Sequence, residues 1–335
     1  MFKENILFLL IFSVLSLSIY AQDPHFSQYF SSPLTISPAN TGNMIGPARI
    51  ASNFRNQWQG VGNPYLTGTF SIETEILKNK MGEGNKLALG FLGLFDKTFG
   101  GAYKSNYFSA SVGYHLWINE DMTNKLSIGF QTSLANKILD YNNLSFAEQF
   151  TSGGFNLALP SNQTFTSGKI NYIDFNTGIM YTHASELNSY YFGTSLYHVT
   201  QPVESFLSKT DYRLPIRVTF NGGTSFNMGA YDKLHLSGLV MVQGSVHSYM
   251  FGAAYEYALP VESTNVSLMF GSYYRHKDAI IPYVGLKRND FQIGISYDAT
   301  ISNLNLGSTK NRSLELSMVC NFKDNSDYKK NVPWY

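Results

Sequence analysis

The chain has 335 residues, with 24 Lys+Arg against 23 Asp+Glu and a formal charge of +1. That balance excludes an electrostatic case for nucleic acid as a partner. Aromatic residues reach 15% while charged residues stop at 14%, well under the roughly 25% usual in soluble domains, so much of the surface touches something other than bulk water.

The first residues, MFKENILFLLIFSVLSLSIYAQ, combine Lys3, an apolar run and a small residue at Ala21. They read as a secretory signal peptide over residues 1–21, not as a structural helix. No later apolar run approaches the ~18 residues a helical span needs. The single thiol, Cys320, rules out an internal disulfide and reads as a small apolar member of the last strand. Export without a helical span leaves the periplasm, the cell exterior, or a β-barrel in an outer membrane.

Residues 22–47 contain Pro24, Pro33, Pro38 and Pro47 without sustained periodicity. Proline removes a backbone donor and fixes φ, so this is an extended, turn-rich leader and not a ladder strand. Its Phe26, Tyr29 and Phe30 need cover. The expectation is a periplasmic leader that packs into a barrel mouth or lumen as a plug.

About fourteen strand candidates follow, at 48–58, 65–76, 86–96, 104–117, 124–139, 170–183, 188–199, 213–227, 232–243, 247–257, 264–275, 279–287, 290–298 and 312–322. Many alternate with period two: Phe108, Ala110, Val112, Tyr114 and Leu116 oppose Tyr107, Ser109, Ser111, Gly113 and His115. Opposite the oily faces stand mostly Gly, Ser, Thr and Asn, which suits a polar barrel interior. Most candidates reach the ~9–11 residues of a tilted membrane strand. Tyr103, Tyr107, Trp117, Tyr190, Tyr191, Tyr212, Tyr273 and Tyr274 lie near strand ends, where interfacial girdles are expected. The three longest connections, 140–169, 200–212 and 299–311, are all odd-numbered and therefore fall on one side, as exterior loops do. The predicted fold class is all-β, a transmembrane antiparallel β-barrel of about fourteen strands over residues 48–322, with a tail at 323–335. Phe146, Phe150, Phe155 and Leu157 in the longest loop fit either folding onto the barrel or a mobile surface flap.

Signals of chemistry are sparse. The seven histidines are scattered without ligand spacing, which suggests no metal site. Neither a GxSxG elbow nor a phosphate-binding GxxxxGK[ST] loop occurs. Glu73 and Glu75 share a strand face and read as solvated or lumen charge. No catalytic, cofactor-binding or metal-binding residue is assigned, and the chain is not expected to be an enzyme.

Three blocks carry a resemblance: QDPHFSQYFSSPLTISPANTGN (22–43), FRNQWQGVGNPYLTGTFSIE (54–73), and YRHKDAIIPYVGLKRNDFQIGISYDATISNL (274–304) with the final SLELSMVCNF. They resemble the PorP/SprF family of Bacteroidetes outer-membrane proteins associated with type IX secretion and gliding motility. Ser37 departs from the family's Asn before Pro38-Ala39. Arg55, Gln57, Trp58, Arg275, Asp278, Pro282, Gly285, Gly294, Ser296 and Tyr297 stand at the recognisable positions, with structural or partner-binding roles. Gly285 and Gly294 permit close backbone approach, and Arg55 or Arg275 can pair with Asp278 or Asp298. The resemblance implies a non-enzymatic outer-membrane component without cofactor. It would assist export or surface attachment of adhesin-like substrates, with secretion components of the periplasm and outer membrane and the membrane lipid as partners. The alternative is an outer-membrane channel or hydrophobic-compound transporter.

Overall fold

The computed structural model describes residues 23–59, 63–77, 80–81, 84–162, 168–185, 188–206, 212–229, 231–260, 265–302 and 312–322. The signal peptide expected at 1–21 and the tail at 323–335 lie outside the described residues. Three short 3-10 turns, Tyr29–Ser31, Pro33–Thr35 and Pro38–Asn40, come first. The strands follow as β1 (Ala48–Gln59), β2 (Tyr65–Ile76), β3 (Lys86–Thr98), β4 (Tyr103–Trp117) and β5 (Asn124–Leu139). A two-stranded ribbon in the next connection supplies β6 (Phe150–Thr151) and β7 (Gly154–Phe155). The rest are β8 (Lys169–Ala184), β9 (Asn188–Tyr197), β10 (Arg217–Met228), β11 (Asp232–Gln243), β12 (Val246–Ala258), β13 (Val266–Arg275), β14 (Ala279–Arg288), β15 (Phe291–Thr300) and β16 (Arg312–Phe322).

All strands except the ribbon join one closed antiparallel barrel, in which each pairs with its neighbour in the chain and β16 returns to β1. The fourteen predicted segments are the fourteen barrel strands. Closure satisfies every sheet edge, the condition for a sheet to cross lipid. Period two then sorts the side chains. Phe54, Phe70, Phe91, Phe108 and Phe130 look outward and are exposed, while Asn53, Ser71, Ser109, Ser111 and Gln131 look inward and are buried.

Many boundaries shift by one or two residues from the sequence reading, and two shifts have a local physical cause. β9 ends at Tyr197 because His198 takes a left-handed φ of 60° and turns out of the ladder. β10 begins at Arg217, since Pro215 has no donor for it, and Arg213 makes only an isolated bridge with Val203. The girdle expectation also needs correction. Tyr191 and Tyr273 are buried inside the barrel, because each falls on the inward phase of its strand, and Tyr103, Tyr107 and Trp117 share the inward phase of β4 with Ser105, Ser109 and His115. In the longest loop Phe150, Phe155 and Leu157 remain 57–63% exposed, so the loop does not fold these side chains onto the barrel.

With an even strand number and antiparallel pairing throughout, the connections at 140–168, 198–216 and 301–311 share one end, called here the long-loop end. The short turns at 118–123, 185–187 and 289–290 share the other. Residues 23–46 run down the lumen from the long-loop end to the short-turn end, where the chain enters β1. Pro33 and Pro38 open the second and third 3-10 turns, whose first N–H has no partner in any case. Asn40 Nδ2 donates to the Pro33 carbonyl at 3.0 Å and ties the two turns together. The prolines that excluded a ladder strand thus build a compact filling.

Candidate functional site

The site is the contact between residues 23–46 and the barrel wall, which has three zones. At the long-loop end a charged cluster sits behind the seam where β1, β16 and β15 meet. Arg55 and Glu315 are cross-strand partners on β1 and β16, and Ser296 faces Glu315 across β15 and β16. The Glu315 carboxylate accepts from two successive leader amides, Ser27 N at 2.7 Å and Gln28 N at 2.8 Å, and from Asn53 Nδ2 at 2.8 Å. Successive N–H groups converging on one anion form a nest. Asp298 accepts from Ser27 Oγ at 2.7 Å and lies between two cations, Arg55 Nη2 at 2.7 Å and Arg275. Arg275 also donates to Ser27 Oγ at 2.7 Å, and Arg55 donates to the His25 carbonyl at 2.7 Å. Gln28 closes the zone by donating to Ser296 Oγ and the Glu315 carbonyl, both at 3.0 Å, and accepting from Ser317 Oγ at 2.6 Å.

A second tie holds the first described residue of the leader. Asp23 Oδ2 is 2.6 Å from His198 Nε2 and 2.9 Å from Arg217 Nη1, while His198 Nδ1 is 2.7 Å from Asp174 Oδ2. Both ring nitrogens therefore face carboxylates, which calls for the doubly protonated imidazolium. Burial alone would lower the pKa of His198, but the charges and hydrogen bonds of Asp23 and Asp174 outweigh it and hold it up, at about 9.

The middle zone is apolar. Tyr29, Phe30 and Ile36 pack against Leu239, Met250, Met269, Tyr273, Ile281 and Tyr283 on the inner wall of β11–β14. The Phe30 ring meets that of Tyr283 edge-on at 5.3 Å, a geometry that adds about 0.5–1.5 kcal/mol beyond area burial. Wall side chains also cap leader carbonyls here: Tyr197 Oη donates to Leu34 at 2.8 Å and Ser195 Oγ to Ile36 at 2.6 Å.

At the short-turn end Arg49 and Glu73 form a fully buried two-pronged pair, at 2.8 and 2.9 Å. Arg49 extends to the Asn40 and Asn43 carbonyls at 3.2 and 3.3 Å, and Glu73 accepts from Gly42 N at 2.9 Å. His115 contacts the Thr41 carbonyl at 2.8 Å and Lys125 donates to Asn43 Oδ1 at 2.6 Å. The leader backbone presses so closely on the wall that a β-carbon at Gly129 would overlap the Pro38 carbonyl, and one at Gly113 the Thr41 carbonyl.

Of the residues singled out in the sequence, Arg275, Gly294 and Ser296 converge on Ser27 and Gln28, and Arg55 reaches the neighbouring His25 carbonyl. A β-carbon at Gly294 would stand 2.6 Å from Gln28 Oε1. Asp278 holds Arg275 from the rim at 3.1 Å. Gly285 faces inward against Tyr283, and Gln57 lies one inward position beyond Arg55, half-buried. Trp58 caps β1 with a φ of 62° at the point where pairing with β16 skips a residue, and it meets Tyr65 edge-on at 4.7 Å. Pro282 and Tyr297 face outward and take no part.

Sequence reasoning missed Glu315, Asn53, Arg49 and the role of Glu73. A signal for Glu315 was present: it is the one charge between Ser313 and Phe322 in a strand bound for a membrane, where an ionisable residue must face a partner.

The sequence profile of the family described as "Type IX secretion system membrane protein PorP/SprF" matches residues 18–319. No curated protein matches the chain. Among solved structures it is similar to the TodX deltaS2S3 mutant, a monoaromatic hydrocarbon channel, with a TM-score of 0.51 and 9% identity over 86% of this chain and 94% of that one. It is also similar to the toluene transporter TbuX of Ralstonia pickettii, with a TM-score of 0.49 and 9% identity over 87% and 94%. A Pseudomonas aeruginosa FadL homologue gives 0.48 and 10% over 85% and 93%. At such identities the likeness concerns the fold alone.

Proposed function

The chain belongs to the PorP/SprF family of type IX secretion system membrane proteins, and on that premise we propose that it works as a self-plugged, non-enzymatic barrel that helps particular large, adhesin-like substrates to be exported or attached at the surface. Membership makes it an outer-membrane component of the secretion machinery. The adhesin-like cargo, a link to gliding motility, contacts with periplasmic and outer-membrane secretion components, and export directed by residues 1–21 complete the reading.

One observation carries it: the lumen is occupied by the chain's own residues 23–46, tied to the wall by the Asp23–Arg217 ion pair at the long-loop end and, at both ends, by hydrogen bonds between buried ion pairs of the wall and the segment backbone. A diffusion channel needs an aqueous path, whereas this interior is filled like a protein core. Work is then left to the surfaces, above all the long-loop end. There the β6–β7 ribbon holds Phe150 and Phe155 outward, with their rings 5.0 Å apart.

The test is affinity purification of the tagged full-length protein from native membranes, followed by planar-bilayer recording of the same preparation. Co-purification of secretion components or a large exported protein, with low conductance, is expected. Recovery alone with robust conductance or solute uptake would replace this reading with the channel.

A further inference from the structure

The outward face of β9–β12 carries a groove of about 700 Å³, within the roughly 300–1,000 Å³ of ordinary small-molecule pockets. It arises from register. Gly222 of β10 lies directly opposite Gly238 of β11, and both belong to the lipid-facing phase. The same row continues to Phe192 on one side and Phe251 on the other, so two residues without side chains lie between two aromatic walls. In the next outward row toward the long-loop end, Phe220 and Val240 stand above the two glycines and Tyr249 continues the β12 wall. The β10–β11 ladder is unbroken from Arg217↔Gln243 to Met228↔Asp232, and Leu239 and Met250 behind it remain packed in the lumen core. The groove is therefore a notch in the lipid face and not a breach of the wall.

Its upper rim has a different chemistry. His276 lines the groove at the β13–β14 turn and meets Tyr249 edge-on at 6.0 Å. His247 lies parallel to the Tyr249 ring at 6.4 Å. Exposed Lys277 follows in the same turn. The one carboxylate of that turn, Asp278, is engaged by Arg275. No other described outward side chain of β9–β12 between the groove and this rim is acidic. An apolar slot under a rim of one cation and two imidazole donors complements an acyl chain under an anionic headgroup.

We infer that this groove is a binding site for an anionic, phosphate-bearing lipid of the outer leaflet, one acyl chain lying over Gly222 and Gly238 and the headgroup meeting His276 and Lys277. The outer leaflet follows from the long-loop end, which faces the exterior in outer-membrane barrels. The inference requires only that the barrel sits in a membrane and does not depend on which cargo it serves.

Gly238→Leu tests it cleanly. A β-carbon there meets nothing nearer than 3.5 Å, and leucine suits a lipid-facing position, so the variant fills the slot without straining the barrel. Native mass spectrometry of the purified full-length protein, delipidated and then offered phosphatidylglycerol and phosphatidylcholine with equal chains, supplies the readout. Expected is one retained lipid with phosphatidylglycerol preferred, at least tenfold weaker retention in Gly238→Leu, and loss of the headgroup preference but not of binding in Lys277→Gln combined with His276→Gln. Heat-modifiable migration, which reports the folded barrel, should be unchanged in all variants. Equal retention by the wild type and Gly238→Leu, no retained lipid, or a co-purifying protein displaced by Gly238→Leu would each overturn the assignment. Should Gly238→Leu fail to fold, Gly222→Leu on the facing strand must give the same loss.

Discussion

The two ends of the lumen segment are held by different means. At the short-turn end the segment is continuous with β1, its carbonyls are capped by Arg49, and its backbone lies against wall glycines. At the long-loop end the attachments of Asp23, Ser27 and Gln28 run to side chains of β15, β16 and the connection after β9. A covalently anchored, closely packed end cannot leave without unfolding the barrel, whereas an end tied by charges can be released and returned. The asymmetry predicts that the long-loop half of the plug is released before the short-turn half.

Asp298→Asn should break this asymmetry most strongly. It leaves Arg55 and Arg275 buried with their shared anion gone, and breaking a buried pair from one side costs about 3–5 kcal/mol. The expected outcome is a lower urea midpoint together with new protease cleavage confined to residues 23–30, with the barrel still closed. Cleavage reaching residues 38–46 would mean that both halves of the plug are released as one.

Alkaline pH should act on the same end with a smaller effect. The folded pKa of His198, about 9, lies above its ordinary 6.5. Its contribution is therefore complete below about pH 6.5 and disappears as pH rises through about 9, a loss of ~3 kcal/mol at most. Protease sensitivity near Asp23 should rise over that window and the transition should vanish in His198→Gln. A transition of equal size in His198→Gln would place its origin elsewhere.

Gly129→Val probes the opposite end. Overpacking of this kind costs about 1–3 kcal/mol, and the obstructed group is backbone, the Pro38 carbonyl. Displacement of residues 38–41, read from hydrogen exchange, is expected without exposure of Ser27 and Gln28. Release of the long-loop end instead would show that the two halves move together.

Much of the barrel could be read in advance because lipid demands a period-two face and closure demands many strands. Phe108 to Leu116 and Phe291 to Tyr297 each show only one oily face, which a soluble sheet shares, and it is the recurrence of that pattern that points to a barrel. The plug contacts were less legible, since an inward position accepts serine, glutamate or tyrosine according to what fills the lumen. β11 and β13 carried a clue: LHLSGLVMV and VSLMFGSYY are apolar on both faces, which a water-filled barrel has no reason to tolerate. One face meets lipid and the other meets Tyr29, Phe30 and Ile36. Arg55 and Arg275 were picked out by resemblance, but their convergence on Asp298 joins positions 243 and 23 residues apart, a pairing only the closed ring brings about.

The finest distinction lies within the seam cluster, between its charged members and neutral Gln28. Gln28→Ala deprives Ser296, Ser317 and the Glu315 carbonyl of a buried partner, at about 1–2 kcal/mol. Gly294→Ala should cost a similar amount, since its methyl group would stand 2.6 Å from Gln28 Oε1 and 2.7 Å from Tyr283 Cε2. If Gln28 sets the space at Gly294, the double variant loses less than the sum of the two, because the shortened side chain makes room for the added methyl. Strict additivity in urea unfolding would assign that restriction to the Tyr283 ring, and Gly294 would then serve the packing of the wall more than the seating of the plug.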